Sequence, residues 1–114
     1  VLQLVNRNLI HSAAHITGGG LFENLLRSIP KEFCLNIDLS KIKVTNIFKW
    51  LRSKNISEKE MLNTFNCGVG FCLIVSKNNL EEIKKNFSRK YMPYQIGHIS
   101  SSRNRLIVSN SIKW

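Results

Sequence analysis

Apolar and polar positions alternate along the chain in blocks that predict short helices and strands. The mostly apolar segment 12–16 predicts a first strand. Apolar residues at 21, 22, 25, 26 and 29 have helical spacing and predict a helix from about 20 to 29, which Pro30 ends. The partial alternation within 33–39 predicts a second strand. These two strands and the helix between them predict a sheet with a helix packed on it.

The middle of the chain shows two helical patterns with signals for their first residues. Thr45 is the predicted N-cap of a helix through about 54, whose inward residues are Ile47, Phe48 and Leu51. Ser57 and Glu60 have capping-box spacing and open the next helix. The hydrophobic face of that second helix is predicted to be Met61, Leu62 and Phe65. Residues 1–9 also have an amphipathic helical pattern.

The last third predicts three strands and one helix. Five consecutive apolar residues at 71–75 are typical of a central strand that is covered on both faces. Asn78 is the predicted start of a helix with a Glu81–Lys85 ion pair. Segments 94–99 and 105–109 predict strands around a polar turn, and hence a hairpin. The predicted class is α+β, a mixed β-sheet with helices packed on it, in a single domain over 1–114.

Composition narrows the functional classes. The chain has 17 Lys and Arg against 7 Asp and Glu, a net charge of +10. The basic residues are scattered, with no run longer than Lys84-Lys85, so nucleic-acid binding is not predicted. No apolar run approaches the ~20 residues of a membrane span. Three cysteines without CxxC pairs or nearby histidines predict neither disulfides nor a metal site, and favour the cytoplasm. A chain that opens on Val1 rather than methionine indicates a fragment.

Three consecutive glycines lie at the junction between the first predicted strand and the predicted helix that follows it. Free backbone N–H groups at a helix start suit an anion, and glycine lets a ligand approach them closely. Thr17 adds a hydroxyl donor to Gly18, Gly19 and Gly20, and strand periodicity places His15 on the same face as Thr17. The alternatives are a plain tight turn for the glycines and a buried core position for His15.

A second polar segment, 66–70, joins a predicted helix to the apolar strand. Gly68 suits the residue that follows a helix end. The amide of Asn66 has two possible roles, capping this turn or binding a ligand. Cys67 has no acid–base partner near it in sequence, so a packing role is predicted for its thiol.

These segments together resemble one enzyme family. The resemblance rests on Ala14–Gly20 with Glu23, Asn24, Arg27 and Pro30, then on Ile47–Leu51, Glu60-Met61, Thr64–Gly70 and Ile96–Ile99. In this order and at this spacing they are similar to the phosphoribosylformylglycinamidine cyclo-ligases, also called aminoimidazole ribonucleotide synthetases. The chain departs from the family pattern at Asn63, where arginine is expected, and at Phe71, where methionine is usual.

The resemblance implies ATP-dependent closure of formylglycinamidine ribonucleotide to aminoimidazole ribonucleotide in purine biosynthesis. It implies a cytoplasmic homodimer whose amino-terminal domain holds most of the ATP and Mg²⁺ contacts. This chain corresponds to most of the carboxy-terminal domain, one wall of the active-site cleft, and is expected to be inactive alone. The implied site residues are His15 as the catalytic residue and Thr17, Gly18–Gly20 and Asn66 for substrate. The alternative is a non-catalytic binding or regulatory module with the same fold.

Overall fold

The computed structural model describes all 114 residues, which form five α-helices and five strands. In chain order these are α1 (Leu2–Asn6), β1 (Ser12–His15), α2 (Gly20–Arg27), β2 (Phe33–Asp38), α3 (Asn46–Arg52), α4 (Glu58–Thr64), β3 (Phe71–Ile74), α5 (Leu80–Lys84), β4 (Gly97–Ser101) and β5 (Leu106–Ser109). Short 3₁₀ turns lie at Leu39–Lys41, Lys77–Asn79 and Arg89–Tyr91. The α+β class is confirmed. None of the helices has the length and apolar character needed to span a bilayer.

The strands form two sheets. One has two strands, β1 and β3, which pair antiparallel. The other has the order β4-β2-β5 and is mixed, because β2 pairs antiparallel with β4 and parallel with β5. The predicted mixed sheet is therefore present, as a three-stranded sheet with a separate two-stranded one beside it.

The predicted hairpin of the last two strands is wrong, because β2 lies between them. The physical reason is a set of bonds at Arg105, the residue before β5. Its guanidinium donates to the carbonyls of Pro30, Phe33 and Leu26 at 2.7, 2.8 and 3.0 Å, and its own carbonyl accepts from Leu35 N–H at 2.9 Å. These bonds draw the start of β5 to the start of β2 and away from β4.

The hydrophobic core lies between the two sheets and the helices α2 and α4. Its buried residues come from nearly every part of the chain and include Ala14, Ile16, Leu21, Leu25, Leu35, Ile37, Leu39, Met61, Leu62 and Ile112. Partly buried side chains, among them Phe48, Leu51 and Phe65, pack around it. The α2–α4 contact is close enough that it requires glycine at position 20, as described below. This packing fixes the loops at one end of β1 and β3.

Some local predictions are wrong. The 71–75 segment is not a central strand, since β3 pairs only with β1 and Phe71 is 51% exposed. Ile47 does not face inward and is 58% exposed. The predicted Glu81–Lys85 pair is replaced by Glu81–Lys84 at 3.7 Å and Glu82–Lys85 at 4.0 Å, because the helix begins only at Leu80 and is short.

The predicted helix starts differ in outcome. The Ser57 hydroxyl accepts a hydrogen bond from Glu60 N–H at 3.2 Å, so this cap is confirmed. Thr45 occupies the N-cap position of α3, but its side chain makes no cap hydrogen bond. Asn78 lies inside a 3₁₀ turn rather than at the start of α5. The residue type therefore located two of these starts correctly, but the predicted side-chain cap forms only at Ser57.

Candidate functional site

The glycine loop, Thr17–Gly20, and the Asn66 loop, Asn66–Gly70, lie side by side at one end of the two-stranded sheet. The antiparallel register places His15, the last residue of β1, opposite Phe71, the first residue of β3. Beyond that pair, Ile16 N–H donates to Gly70 O at 2.9 Å. The structure thus brings together two polar segments that are far apart in sequence.

The glycine loop is held by its own backbone and by Asn24 on α2. Gly20 N–H donates to Thr17 O at 3.1 Å, which closes a turn. The Asn24 amide donates to the carbonyls of Gly20, Gly18 and Thr17 at 2.7, 3.4 and 3.5 Å. The N–H groups of Gly18 and Gly19 bond to no other part of the chain. The donors that remain for a ligand are these two groups and the hydroxyl of exposed Thr17.

Each of the three glycines has a different environment. A Cβ on Gly18 would meet nothing within 4 Å. At Gly19 φ is +95°, and a Cβ would lie 2.3 Å from Oε2 of Glu23, the end of a flexible side chain. At Gly20 φ is +75°, and a Cβ would lie 1.9 Å from the backbone carbonyl of Leu62. Gly20 is therefore required for helix packing, whereas Gly18 borders open space at the loop surface.

Glu23 places a negative charge next to this loop. Its carboxylate lies beside Gly19 at the amino-terminal end of α2 and forms an ion pair with Arg27, one turn further along the helix. A carboxylate is stabilised at a helix N-terminus because the helix dipole is positive there. The charge of Glu23 would repel an incoming anion, and the ion pair with Arg27 offsets part of that repulsion.

His15 and Thr17 share one face, as predicted. Both are exposed, whereas Ala14 and Ile16 on either side of His15 are buried. The His15 ring lies 6.2 Å from the Phe71 ring, measured between centroids, with the planes tilted by 39°. His15 is thus not a core histidine, and its imidazole is accessible beside the glycine loop.

Asn66 caps its own turn. Its side-chain carbonyl Oδ1 accepts from Gly68 N–H at 2.9 Å, and its backbone carbonyl accepts from Val69 N–H at 2.8 Å. The capping role that sequence reasoning left open is therefore present. Because the cap uses only the oxygen, the two N–H donors of the Asn66 amide remain for a ligand.

The thiol next to Asn66 belongs to the core. Cys67 is 1% exposed, and its Sγ lies 3.6 Å from Met61 O. Burial, and secondarily the charge of Glu58, raises the pKa of Cys67 to about 11. Such a thiol is almost entirely protonated near neutral pH, so it is a poor nucleophile.

The site contains no metal-binding cluster. No group of three or more His, Cys, Asp or Glu side chains is placed to hold a metal ion. Sequence reasoning missed Asn24, whose amide holds three loop carbonyls. The available signal was its position on α2 four residues after Gly20, one helical turn from the loop, where an amide can reach back to the loop carbonyls.

Comparison with known proteins identifies the domain. Residues 1–109 match the family model described as AIR synthase related protein, C-terminal domain. The chain is 37% identical over 118 residues to a phosphoribosylformylglycinamidine cyclo-ligase of Lactobacillus helveticus. This aligned region covers 99% of the chain and 34% of the relative. The enzyme of the same name from Ligilactobacillus salivarius is 46% identical over 91 residues, with 79% and 26% covered.

A vertebrate relative shows the same similarity within a larger protein. The chain is 37% identical over 100 residues to the trifunctional purine biosynthetic protein adenosine-3 of Gallus gallus, of which it covers 10%. It spans about a third or less of the length of the curated relatives it matches. Since the family model covers nearly all of its 114 residues, the chain belongs to the AIR synthase related protein family, as the C-terminal domain.

Proposed function

We propose that this chain is the carboxy-terminal part of a phosphoribosylformylglycinamidine cyclo-ligase, which uses ATP to close formylglycinamidine ribonucleotide to aminoimidazole ribonucleotide. The observation that carries the proposal is the pairing of the glycine loop with the Asn66 loop through Ile16 N–H and Gly70 O. Relatives named as this enzyme at 37% and 46% identity support it. The chain supplies one wall of the active-site cleft.

The residues at this wall have distinct proposed roles. Gly18 and Gly19 N–H and the Thr17 hydroxyl bind phosphate oxygens, while Gly20 fixes the loop on α4. The Asn66 amide nitrogen donates to the substrate. His15, exposed beside the loop, orients polar groups of the substrate or of the transferring phosphoryl group. These contacts position the reactants and stabilise negative charge, which provides most of the acceleration in phosphoryl transfer.

ATP supplies the phosphoryl group that converts the amide oxygen of the substrate into a leaving group. The donor set of the glycine loop fits phosphate oxygens once Glu23 has moved aside. The residues of this chain do not fit Mg²⁺, which prefers several carboxylate and phosphate oxygens, because no carboxylate cluster is present. We therefore assign Mg²⁺ and most ATP contacts to an amino-terminal domain of the full-length enzyme, a cytoplasmic homodimer.

It follows that the 114-residue chain alone should not catalyse cyclisation. Purified chain incubated with ATP, Mg²⁺ and formylglycinamidine ribonucleotide should give no aminoimidazole product by chromatography, because one wall of the cleft cannot hold the metal-bound phosphates. The curated Lactobacillus helveticus enzyme is the positive control. Product formation that follows the chain through a second purification would contradict the division of roles between two domains.

A chimera tests the proposed function directly. The amino-terminal two thirds of the Lactobacillus helveticus enzyme, joined to this chain in place of its own matched third, should make product and support growth of a cyclo-ligase-deficient strain without purine. The amino-terminal part alone should do neither. A soluble, folded chimera that binds substrate without forming product would instead favour a non-catalytic binding module.

A further inference from the structure

An apolar groove of about 1250 Å³ separates the two sheets. Strand β3 lines one side and β4 lines the other, while the core residues Leu25, Leu35 and Ile37 also border it. Most of its lining side chains are hydrophobic. None of the residues to which we assign substrate contacts lines it, although Gly68, Val69 and Gly70 of the Asn66 loop do. Contiguous exposed apolar surfaces are typical of interaction sites.

The β3 side of the groove is an open strand edge. Hydrogen bonds in an antiparallel ladder alternate along a strand, so every second residue points its N–H and C=O away from its partner. Because Ile16 N–H donates to Gly70 O, the even-numbered residues that follow face β1. Phe71 and Leu73 therefore point their backbone polar groups away from β1, and both line the groove.

The β4 side is a second open edge. Asp38 N–H donates to Ile96 O at 2.9 Å, which places His98 and the other even-numbered residues of β4 toward β2. Gly97 and Ile99 therefore direct their N–H and C=O groups away from β2, and both line the groove. The Gly97 carbonyl accepts from the Gln95 side-chain amide at 3.1 Å. The other outward backbone donors and acceptors of these two edges have no partner in the chain and border the same apolar space, an arrangement that templates another strand.

The sequence of β3 independently indicates a missing neighbour. Residues 71–75 are all apolar, a pattern typical of central strands, yet β3 is an edge strand in a two-stranded sheet. Such two-stranded sheets are marginally stable by themselves. One strand placed between β3 and β4 would make β3 central and would join both sheets into one of six strands.

We propose that this groove binds an extended apolar β-strand that is supplied by the amino-terminal polypeptide of the AIR synthase family. The first relative has about three times the length that this chain covers, since only 34% of it is matched. Val1 lines the groove. In a relative, the polypeptide that precedes the position equivalent to Val1 therefore reaches the groove at its carboxy-terminal end. The proposal rests on family membership and geometry, not on the cyclisation activity.

Overlapping 12-residue peptides test this proposal on the 114-residue chain. They cover the part of the Lactobacillus helveticus enzyme that lies outside the matched third, and binding is measured by calorimetry. One apolar peptide or two overlapping ones should bind. Amide hydrogen exchange, followed by NMR, should then slow at least ten-fold at Phe71, Leu73, Gly97 and Ile99. The amide of Cys72, which already faces β1, is the internal control.

Backbone methylation of the peptide separates strand pairing from simple apolar contact. An inserted strand uses the N–H of successive residues on alternate sides, so one N-methyl group at its centre should weaken binding about ten-fold or more. N-methylation at the last residue should change affinity less than two-fold. The protein is unchanged in both measurements, so no folding defect enters the comparison.

Three results would overturn the proposal. They are the absence of binding by every peptide, binding that leaves the four edge amides unprotected, and equal affinity of the central and terminal N-methyl peptides. Concentration-dependent protection of the same amides without peptide would show that a second copy of the chain fills the groove. Peptide binding and amide exchange are measured on the 114-residue chain and do not depend on cyclisation. An inactive chimera would therefore contradict the proposed function without contradicting the strand-binding groove.

Discussion

At the scale of single residues, the chain shows how one residue type serves different purposes within three positions. Sequence reasoning treated Gly18, Gly19 and Gly20 as one unit that forms either a turn or an anion site. The structure separates them, because the space around a Cβ depends on Glu23 and on the distant Leu62 carbonyl. Local sequence contains no information about that carbonyl, so only the location of the site was predictable.

The glycines give a matched pair of variants. Gly18→Val fills open space at the loop surface, so the unfolding midpoint of the chain should stay within about 2 °C, while nucleotide affinity of the chimera should fall at least ten-fold through loss of charge-assisted bonds. Gly20→Ala should lower the free energy of unfolding by about 2–3 kcal/mol, because its Cβ would clash with Leu62 O at positive φ. Calorimetry and thermal unfolding separate the two. Unchanged nucleotide affinity in Gly18→Val would show that the glycine loop is only a tight turn and does not bind phosphate.

Thiol chemistry provides a second test at this scale. Burial raises the pKa of both Cys67 and Cys72 to about 11, so only about one thiol in a thousand is ionised at pH 8. Since the thiolate is the reactive form, iodoacetamide should label these cysteines slowly at pH 8 and about ten-fold faster per pH unit up to pH 10. Mass spectrometry of native and guanidinium-unfolded chain measures both rates. Fast native labelling of Cys67 would identify an activated thiol instead.

At the scale of helices and strands, prediction succeeded where the signal is local. The helices α2, α3 and α4 and most strand positions followed from periodicity and capping residues. Strand pairing did not follow from local signals. In place of the hairpin expected for residues 94–109, β2 lies between β4 and β5, although it comes far earlier in the sequence. The apolar character of 71–75 predicted a strand with two neighbours in a sheet, whereas β3 has only one, β1, because the position of a pairing partner is not encoded in the local pattern.

Two helix starts test how much a cap contributes. Ser57→Ala removes an acceptor that bonds Glu60 N–H at 3.2 Å, and should lower the free energy of unfolding by about 1 kcal/mol. Thr45→Ala is the matched control, because Thr45 holds the same position on α3 without a cap hydrogen bond, and should cost less than about 0.5 kcal/mol. Urea unfolding measures both. Equal losses of unfolding free energy in the two variants would show that the Ser57 hydrogen bond contributes no stability of its own.

At the scale of the whole molecule, net charge and apolar surface act against each other. The chain carries +10, which repels other copies at long range. Leu2 and Val5 of α1 and the preceding Val1 are nevertheless 80%, 47% and 49% exposed. Because salt screens charge and leaves apolar attraction in place, ionic strength decides which of the two effects controls association.

The chain should therefore form oligomers that grow with protein concentration and with salt from about 0.05 to 0.5 M, because added salt shortens the screening length, which is about 10 Å at 0.1 M. Leu2→Lys removes the most exposed apolar side chain of α1 and should shift the equilibrium toward monomer. Gln3→Lys adds the same charge to the same helix without removing apolar surface. Light scattering after size exclusion distinguishes them, and equal effects of the two variants would assign the shift to charge alone.

The central position of β2 has a consequence for the order in which the molecule assembles. Its partners in β4 and β5 lie 60 to 71 residues later in the chain, so the three-stranded sheet is built from long-range contacts. Folding rates fall as contacts become less local, because loop closure must precede the pairing. On a ribosome that releases the amino-terminal end first, β2 waits with both edges open until residues 97–109 emerge. Residues 97–109 therefore control when the three-stranded sheet, and with it the core, is completed.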